Sequence, residues 1–194
     1  MIITSDFEVA QPVGKVWQFF GDIPQVAACL PGAELTTDLG DEKYEGQVAI
    51  RMGPVRMQFA GTADIAERDD ARKHIVVNAA GADEKGRGQA ALTVSATLSA
   101  KGQSTRVEVT QDLQLSGAAA QYGRGMISDV SAILMRDFSR NVQDRIERLE
   151  RGESLDSLAA GGSASGLGIA LAAARLALTR VFRRFFLPYQ PAAS

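Results

Sequence analysis

Residues 92–115, "LTVSATLSAKGQSTRVEVTQDLQL", decide the fold. Leu92, Val94, Ala96 and Leu98 alternate with Thr93 and Thr97. Val107, Val109, Leu113 and Leu115 alternate with Glu108, Thr110 and Gln114. A period of two puts each apolar set on one side of an extended strand. Lys101-Gly102 between the two runs marks a hairpin loop. Each strand then has one dry and one wet face, as in an antiparallel sheet packed on one side only.

The same period runs back along the chain. Tyr44, Val48, Ile50 and Met52 share a side, as do Val55, Met57, Phe59, Ala63 and Ile65, and then Ile75, Val77 and Ala79. Arg51, Arg56, Gln58 and Asp64 fall between them. Gly53-Pro54, Asp69-Asp70 and the stretch from Gly81 to Gly88 supply further loops. Six or so antiparallel strands are expected after a first short strand over Ile2 to Ala10.

Two short helices separate that first strand from the rest. Pro12 suits a first helical turn, and Val13, Val16, Trp17 and Phe20 follow at i, i+3, i+4 and i+7. A second helix is expected from Pro24 to about Cys29, ended by Pro31. A long helix is expected from about Ala120 to Arg151. Met126, Val130, Ile133, Leu134, Phe138, Val142, Ile146 and Leu149 form its apolar stripe. The sum is an α+β domain over residues 1–151, a curved antiparallel sheet gripping one long helix, with space between them that is either packed or left as a pocket.

Composition bounds the function. The 194 residues carry 21 basic and 23 acidic side chains, a net charge of −2. No acid follows Asp156, but Arg175, Arg180, Arg183 and Arg184 do. Without those four, 17 basic residues face 23 acidic ones, so the body is charged −6. Nucleic acid is not the expected partner, because phosphate contacts need clustered basic surface. A single cysteine, Cys29, excludes an internal disulfide and any multi-cysteine metal site. The opening "MIITSDFEVA" lacks the basic and apolar regions of a secretion signal, so the cytoplasm is the expected compartment.

Three strings then carry a resemblance. "VWQFFGDIPQVAACLPGAEL" (residues 16–35), "GPVRMQFAG" (53–61) and "GAAAQYGRGMI" (117–127) occur in order. They resemble the signature of the carbon monoxide dehydrogenase G-subunit family, within the helix-grip, START-like (SRPBCC) superfamily. The resemblance covers about residues 1–150. It implies a non-catalytic accessory protein that links a molybdenum-containing CO dehydrogenase, or a related oxidoreductase, to the cytoplasmic membrane. It further implies a cavity for an apolar cargo, a respiratory quinone such as menaquinone or ubiquinone, with no covalent cofactor.

The expected pocket lining comes from every element of the body. It takes Trp17, Phe20 and Leu30 from the short helices. Tyr44, Val48, Ile50, Met57, Phe59, Leu92 and Val94 come from the sheet. The long helix adds Tyr122, Met126, Val130, Ile133, Leu134 and Phe138. Each of these would be equally at home in a filled core. Gln121, Tyr122 and Arg124 stand where a polar quinone head could be met.

The tail has its own logic. Residues 152–166 are rich in Gly and Ser and read as a flexible linker reaching about 20 Å. Residues 167–187 read as an apolar helix with a basic flank. It cannot span a bilayer, which needs about 20 mainly apolar residues. Arg175 and Arg180 at the centre would cost about 2.5–3.5 kcal/mol each. Leu171, Leu178, Val181, Phe182 and Phe185 make one stripe, with Arg175, Arg180, Arg183 and Arg184 outside it. That pattern fits a helix lying on an anionic lipid surface, where each Arg contributes about 1 kcal/mol. Packing on the body or on a protein partner is the other reading.

No catalytic set stands out. His74 follows Lys73 in a charged hairpin and reads as a surface residue. Asp64, Glu67, Asp69 and Asp70 read as loop and wet-face acids. Cys29 reads as a small packing residue. A membrane adaptor without cargo, and a START-like cyclase or hydrolase, remain the competing expectations.

Overall fold

The computed structural model describes residues 1–153. All but the first two residues of the 152–166 linker, and the whole 167–187 helix with its nine expected membrane-binding residues, lie outside the described residues.

Seven strands form one sheet: β1 (Ile2–Val9), β2 (Ala33–Gly40), β3 (Lys43–Met52), β4 (Val55–Asp69), β5 (His74–Asp83), β6 (Gln89–Lys101) and β7 (Ser104–Leu115). Every pairing is antiparallel, and the spatial order is β1-β7-β6-β5-β4-β3-β2. The strands from β2 to β7 are thus a meander, and β1 extends it at the β7 edge, pairing Ile2 with Asp112. Helices α1 (Val13–Phe20) and α2 (Ile23–Ala27) follow β1, and α3 (Arg124–Glu150) follows β7. The curved sheet with its long C-terminal helix is the START-like helix-grip fold.

The inward faces follow the alternation. On β7, Thr105, Val107, Val109 and Gln111 are buried while Arg106, Glu108, Thr110 and Asp112 are exposed. Helix α1 lies against β6 and β7, and α3 lies against β1 and β3. The far end of α3 is tied down by Gln143, which accepts from the Ala10 N–H at 2.7 Å, and by Glu150, which pairs with Lys15 and Gln11.

Several boundaries differ from expectation. Helix α3 starts at Arg124, not Ala120, because Tyr122 and Gly123 are extended. A 3-10 turn, Gly117–Gln121, precedes it, with the Ala118 N–H donating to Arg87 O at 2.6 Å. Strand β5 continues through Gly81 to Asp83, so the loop to β6 is only 84–88. Helix α2 begins at Ile23, where the Asp22 carboxylate accepts from the Gln25 N–H at 3.2 Å; this is an N-cap. Met126 and Leu149 are exposed, and Ile127 and Ser131 take their place in the buried stripe. Counting back from Phe138 in steps of three or four residues reaches Leu134, Ser131 and Ile127, so Met126 falls about 100° off the face.

Candidate ligand-binding cleft

The core beneath α3 is in two parts. One cluster joins Val9, α1, Cys29, β5–β7 and the second half of α3, with Trp17, Phe20 and Phe138 buried inside it. The other, at the opposite end of the sheet, joins Met52, Met57, Phe59 and Ala119. Cross-strand registers show what lies between. One inward-facing row runs Leu115, Ala90, Gly81, Gly61, Gly46 across β7 to β3. The next runs Leu113, Leu92, Ala79, Ala63, Tyr44. The middle of both rows is Gly and Ala, so the sheet offers little side-chain volume to the helix there. Leu92, Leu113 and Tyr44, with Val130, Ile133 and Leu134 of α3, pack into neither cluster.

A hollow of about 310 Å³ opens beside the start of α3. Leu113, Leu115, Tyr122, Arg124 and Ile127 line it, together with Met1, Gln114 and Ala120. A second depression, about 490 Å³, lies along the ends of β5 to β7 and shares Gln114 and Leu115 with the first. Ligand pockets commonly start at about 300 Å³.

The expected lining residues therefore divide by place. Trp17, Phe20 and Phe138 sit in the packed far end, with Leu30 and Val94 half-buried against them. Met57 and Phe59 are buried in the second cluster, with Val48, Ile50 and Tyr122 packed on it. Tyr44, Leu92, Val130, Ile133 and Leu134 border the gap. Met126 is 42% exposed and stands apart from the rest.

Trp17 has a fixed environment. Its indole N–H donates to Asp70 at 2.6 Å, and Arg68 and Lys73 stand 5.0 and 5.4 Å from its ring centroid. The Trp17 hydrogen bond, with the nearby Arg68, holds the Asp70 carboxyl below its ordinary value. His74 is half-buried on the outer face, its Nδ1 2.9 Å from Thr97 Oγ1, so it is not a free surface group. Burial pushes the Cys29 thiol up to about 12, which leaves it a protonated packing group without nucleophilic character. Burial first, and then Asp38, Glu42 and Asp22, raise Tyr44, which keeps its phenol a hydrogen-bond donor.

Four buried polar groups fall outside the sequence expectations: Asp83, Thr105, Gln111 and Ser131. Parity points to Gln111, since it shares the odd-numbered face of Val107, Val109 and Leu113. Asp83 clamps the rim. Both its oxygens accept from Arg87 at 2.7 Å, and it also accepts from the Gln58, Lys85 and Arg87 N–H groups. These bonds, led by the Arg87 guanidinium, hold its carboxyl far below the usual carboxylate range.

Because that value is depressed on folding, the clamp's stabilisation is fully present above about pH 4, the ordinary aspartate value. It is lost as pH falls toward the lower folded-state value. Asp83→Asn should lower the urea midpoint at pH 7 and flatten its fall below about pH 4. A midpoint equal to wild type at pH 7 would show that the clamp contributes nothing.

Among the described residues, no cluster of three or more His, Cys, Asp or Glu could hold a metal. No described helix is long and apolar enough to cross a membrane.

Comparison with known proteins adds to the geometry. The sequence model of the carbon monoxide dehydrogenase G-subunit family (CoxG) matches residues 6–147. No curated protein sequence matches the chain. Among solved structures, a conserved protein from Geobacillus kaustophilus superposes with a TM-score of 0.67 at 20% identity, covering 76% of this chain and 96% of that one. The Zhui aromatase/cyclase from Streptomyces sp. R1128 gives 0.56 at 16%, covering 76% and 94%. A START superfamily protein from Mycobacterium smegmatis gives 0.54 at 14%, covering 76% and 98%. At these identities the likeness is one of fold.

Proposed function

The chain belongs to the CoxG family, the G-subunits of carbon monoxide dehydrogenase, and from that premise we propose that it is a non-catalytic carrier of a respiratory quinone. The carrier serves a CO dehydrogenase or a related oxidoreductase at the inner face of the cytoplasmic membrane. Oxidation of CO with water gives CO2, two protons and two electrons, and a quinone takes up two of each to become a quinol. An apolar quinone needs shelter from water between enzyme and bilayer.

The observation that carries this reading is the divided core. A single long helix crosses a sheet whose two middle rows carry only Gly or Ala on β4 and β5, while Tyr44, Leu92, Val130 and Leu134 beside the gap stay half-buried. A protein that only recruits an enzyme has no use for apolar side chains left half-covered, which forfeits about 25 cal/mol per Å². The tail supports the membrane half of the proposal through its sequence pattern alone. Its apolar stripe and four arginines suit reversible attachment to anionic lipid.

The test is organic extraction of the gently purified protein, with mass spectrometry of the extract, beside a variant ending at Gly161. Stoichiometric quinone in both is the expected result and would assign the cargo to the body. No lipid in either, even after incubation with quinone-loaded vesicles, would sink the carrier reading and leave a membrane adaptor.

A further inference from the structure

One inward position beyond the lining of the hollow, β7 and α3 hold an arrangement that an apolar carrier does not need. Gln111 is 8% exposed and faces inward from β7, with Ile3 opposite it on β1 and Val94 opposite it on β6. Its Oε1 accepts from the buried Ser131 hydroxyl of α3 at 3.1 Å. Its Nε2 has no partner, and neither has the enclosed Ser5 hydroxyl, one inward position further along β1. The donor role follows from the orientation in which Oε1 takes the Ser131 proton; the opposite orientation would leave Oε1 free, an acceptor that a ring carbonyl cannot satisfy. Two enclosed polar groups without a partner, an amide donor and a hydroxyl that can donate or accept, are costly to bury, and apolar replacements of the same shape would remove that cost.

The position links this group to the opening. Leu113 and Ile127 line the hollow beside α3. Gln111 is the next inward residue after Leu113 on β7, about 7 Å along the strand. Ser131 is one turn beyond Ile127, about 6 Å along the helix. Gln111 and Ser131 are thus the first buried polar side chains inward of the hollow's lining. An acceptor delivered there would complete the unpaired Nε2.

We propose that Gln111, held by Ser131, is the specificity-determining donor of the cleft, and that it takes the carbonyl oxygen of a ring-bearing lipophilic cargo. The inference rests on the carrier reading and refines it. The head group goes in first, past Tyr122 and Arg124, and the tail trails out along the hollow. Sites built to hydrogen-bond a ligand discriminate strongly against analogues that lack the group, whereas apolar walls do not.

The experiment compares two probes on the full chain and on Gln111→Leu, by titration calorimetry. Decylubiquinone carries ring carbonyls; decylbenzene carries the same alkyl chain on a ring without them. Gln111→Leu should weaken decylubiquinone about tenfold, leave decylbenzene unchanged or tighter, and keep or raise the urea midpoint of the unliganded protein. Ser131→Ala should weaken decylubiquinone in the same selective way, by less. An equal loss for both probes would make Gln111 a packing residue and overturn the proposal. So would an unchanged affinity for decylubiquinone, which would leave a buried water as the occupant. If the wild type binds neither probe, the carrier reading falls as well; if it binds both and the variant does not discriminate, only this inference falls.

Discussion

Phe138→Ala should cost the folded body about 3–5 kcal/mol in urea unfolding. The ring stands edge-on to Phe7 of β1 at 5.9 Å and to Phe20 of α1 at 6.4 Å. One side chain of α3 thus joins the first strand and the first helix. Truncation would empty a site walled by other buried groups, Val16, Val107 and Val142 among them, which cannot all collapse inward. The same variant separates stability from cargo. Phe138 lies in the packed end, so decylubiquinone affinity should stay within a few fold of wild type once the protein is folded. A loss of under about 1 kcal/mol would mean that this end is loosely filled, contrary to the burial seen.

Gly61→Ala should be nearly as damaging, for the opposite reason. An added Cβ at Gly61 would stand 1.9 Å from Ala80 O and 2.5 Å from Gly81 Cα. Both are backbone atoms of the neighbouring strand and cannot turn aside as a side chain can. Gly61 pairs with Gly46 on one side and Gly81 on the other, so three strands approach closely at one level. Overpacking of this kind costs about 1–3 kcal/mol, and the contact with backbone puts this case at the upper end. The melting temperature should fall by about 4–12 °C. A melting temperature within about 1 °C of wild type would mean that β4 and β5 separate easily there.

Much of this fold is legible in the sequence because its chemistry is periodic. Thr93, Thr97, Glu108 and Thr110 alternate with apolar neighbours, and the structure puts them on the outer face. The helix-grip order follows from counting strands before a proline-free helical stretch. What stays hidden is set by neighbours far away in sequence. Met126 is as apolar as Ile127, and only the phase of α3, set by the packing of Phe138 and Ser131 further along it, decides which faces in. Ile75 announces a strand, but nothing in "RKHIVV" says that Thr97 will sit beside the His74 ring. Gly81 reads as a loop residue by composition, and is a strand residue because Gly61 is opposite it. The candidate cleft shows in the sequence only as a set of apolar residues, which a core and a cavity share. Its division into packed ends and a sparse middle depends on cross-strand register. Gln111 is visible by parity, but its unpaired donor arises only where β1, β7 and α3 meet.

The addition of β1 to the β7 edge sets an order of events during synthesis. Residues 2–9 are the first strand to be made, yet their partners are residues 105–112. At about 5–20 residues per second, the ribosome delivers β7 roughly 5–20 s after β1. Throughout that interval the meander from β2 to β6 can assemble by local hairpins, while β1 waits with its hydrogen-bonding edge unsatisfied. The Met1 ammonium ties the end of β1 to β7, donating to Leu113 O at 2.7 Å and to Asp112 at 3.2 Å. The nascent chain therefore carries an unpaired strand for most of its birth, and α3 can clamp the sheet only after that strand has docked.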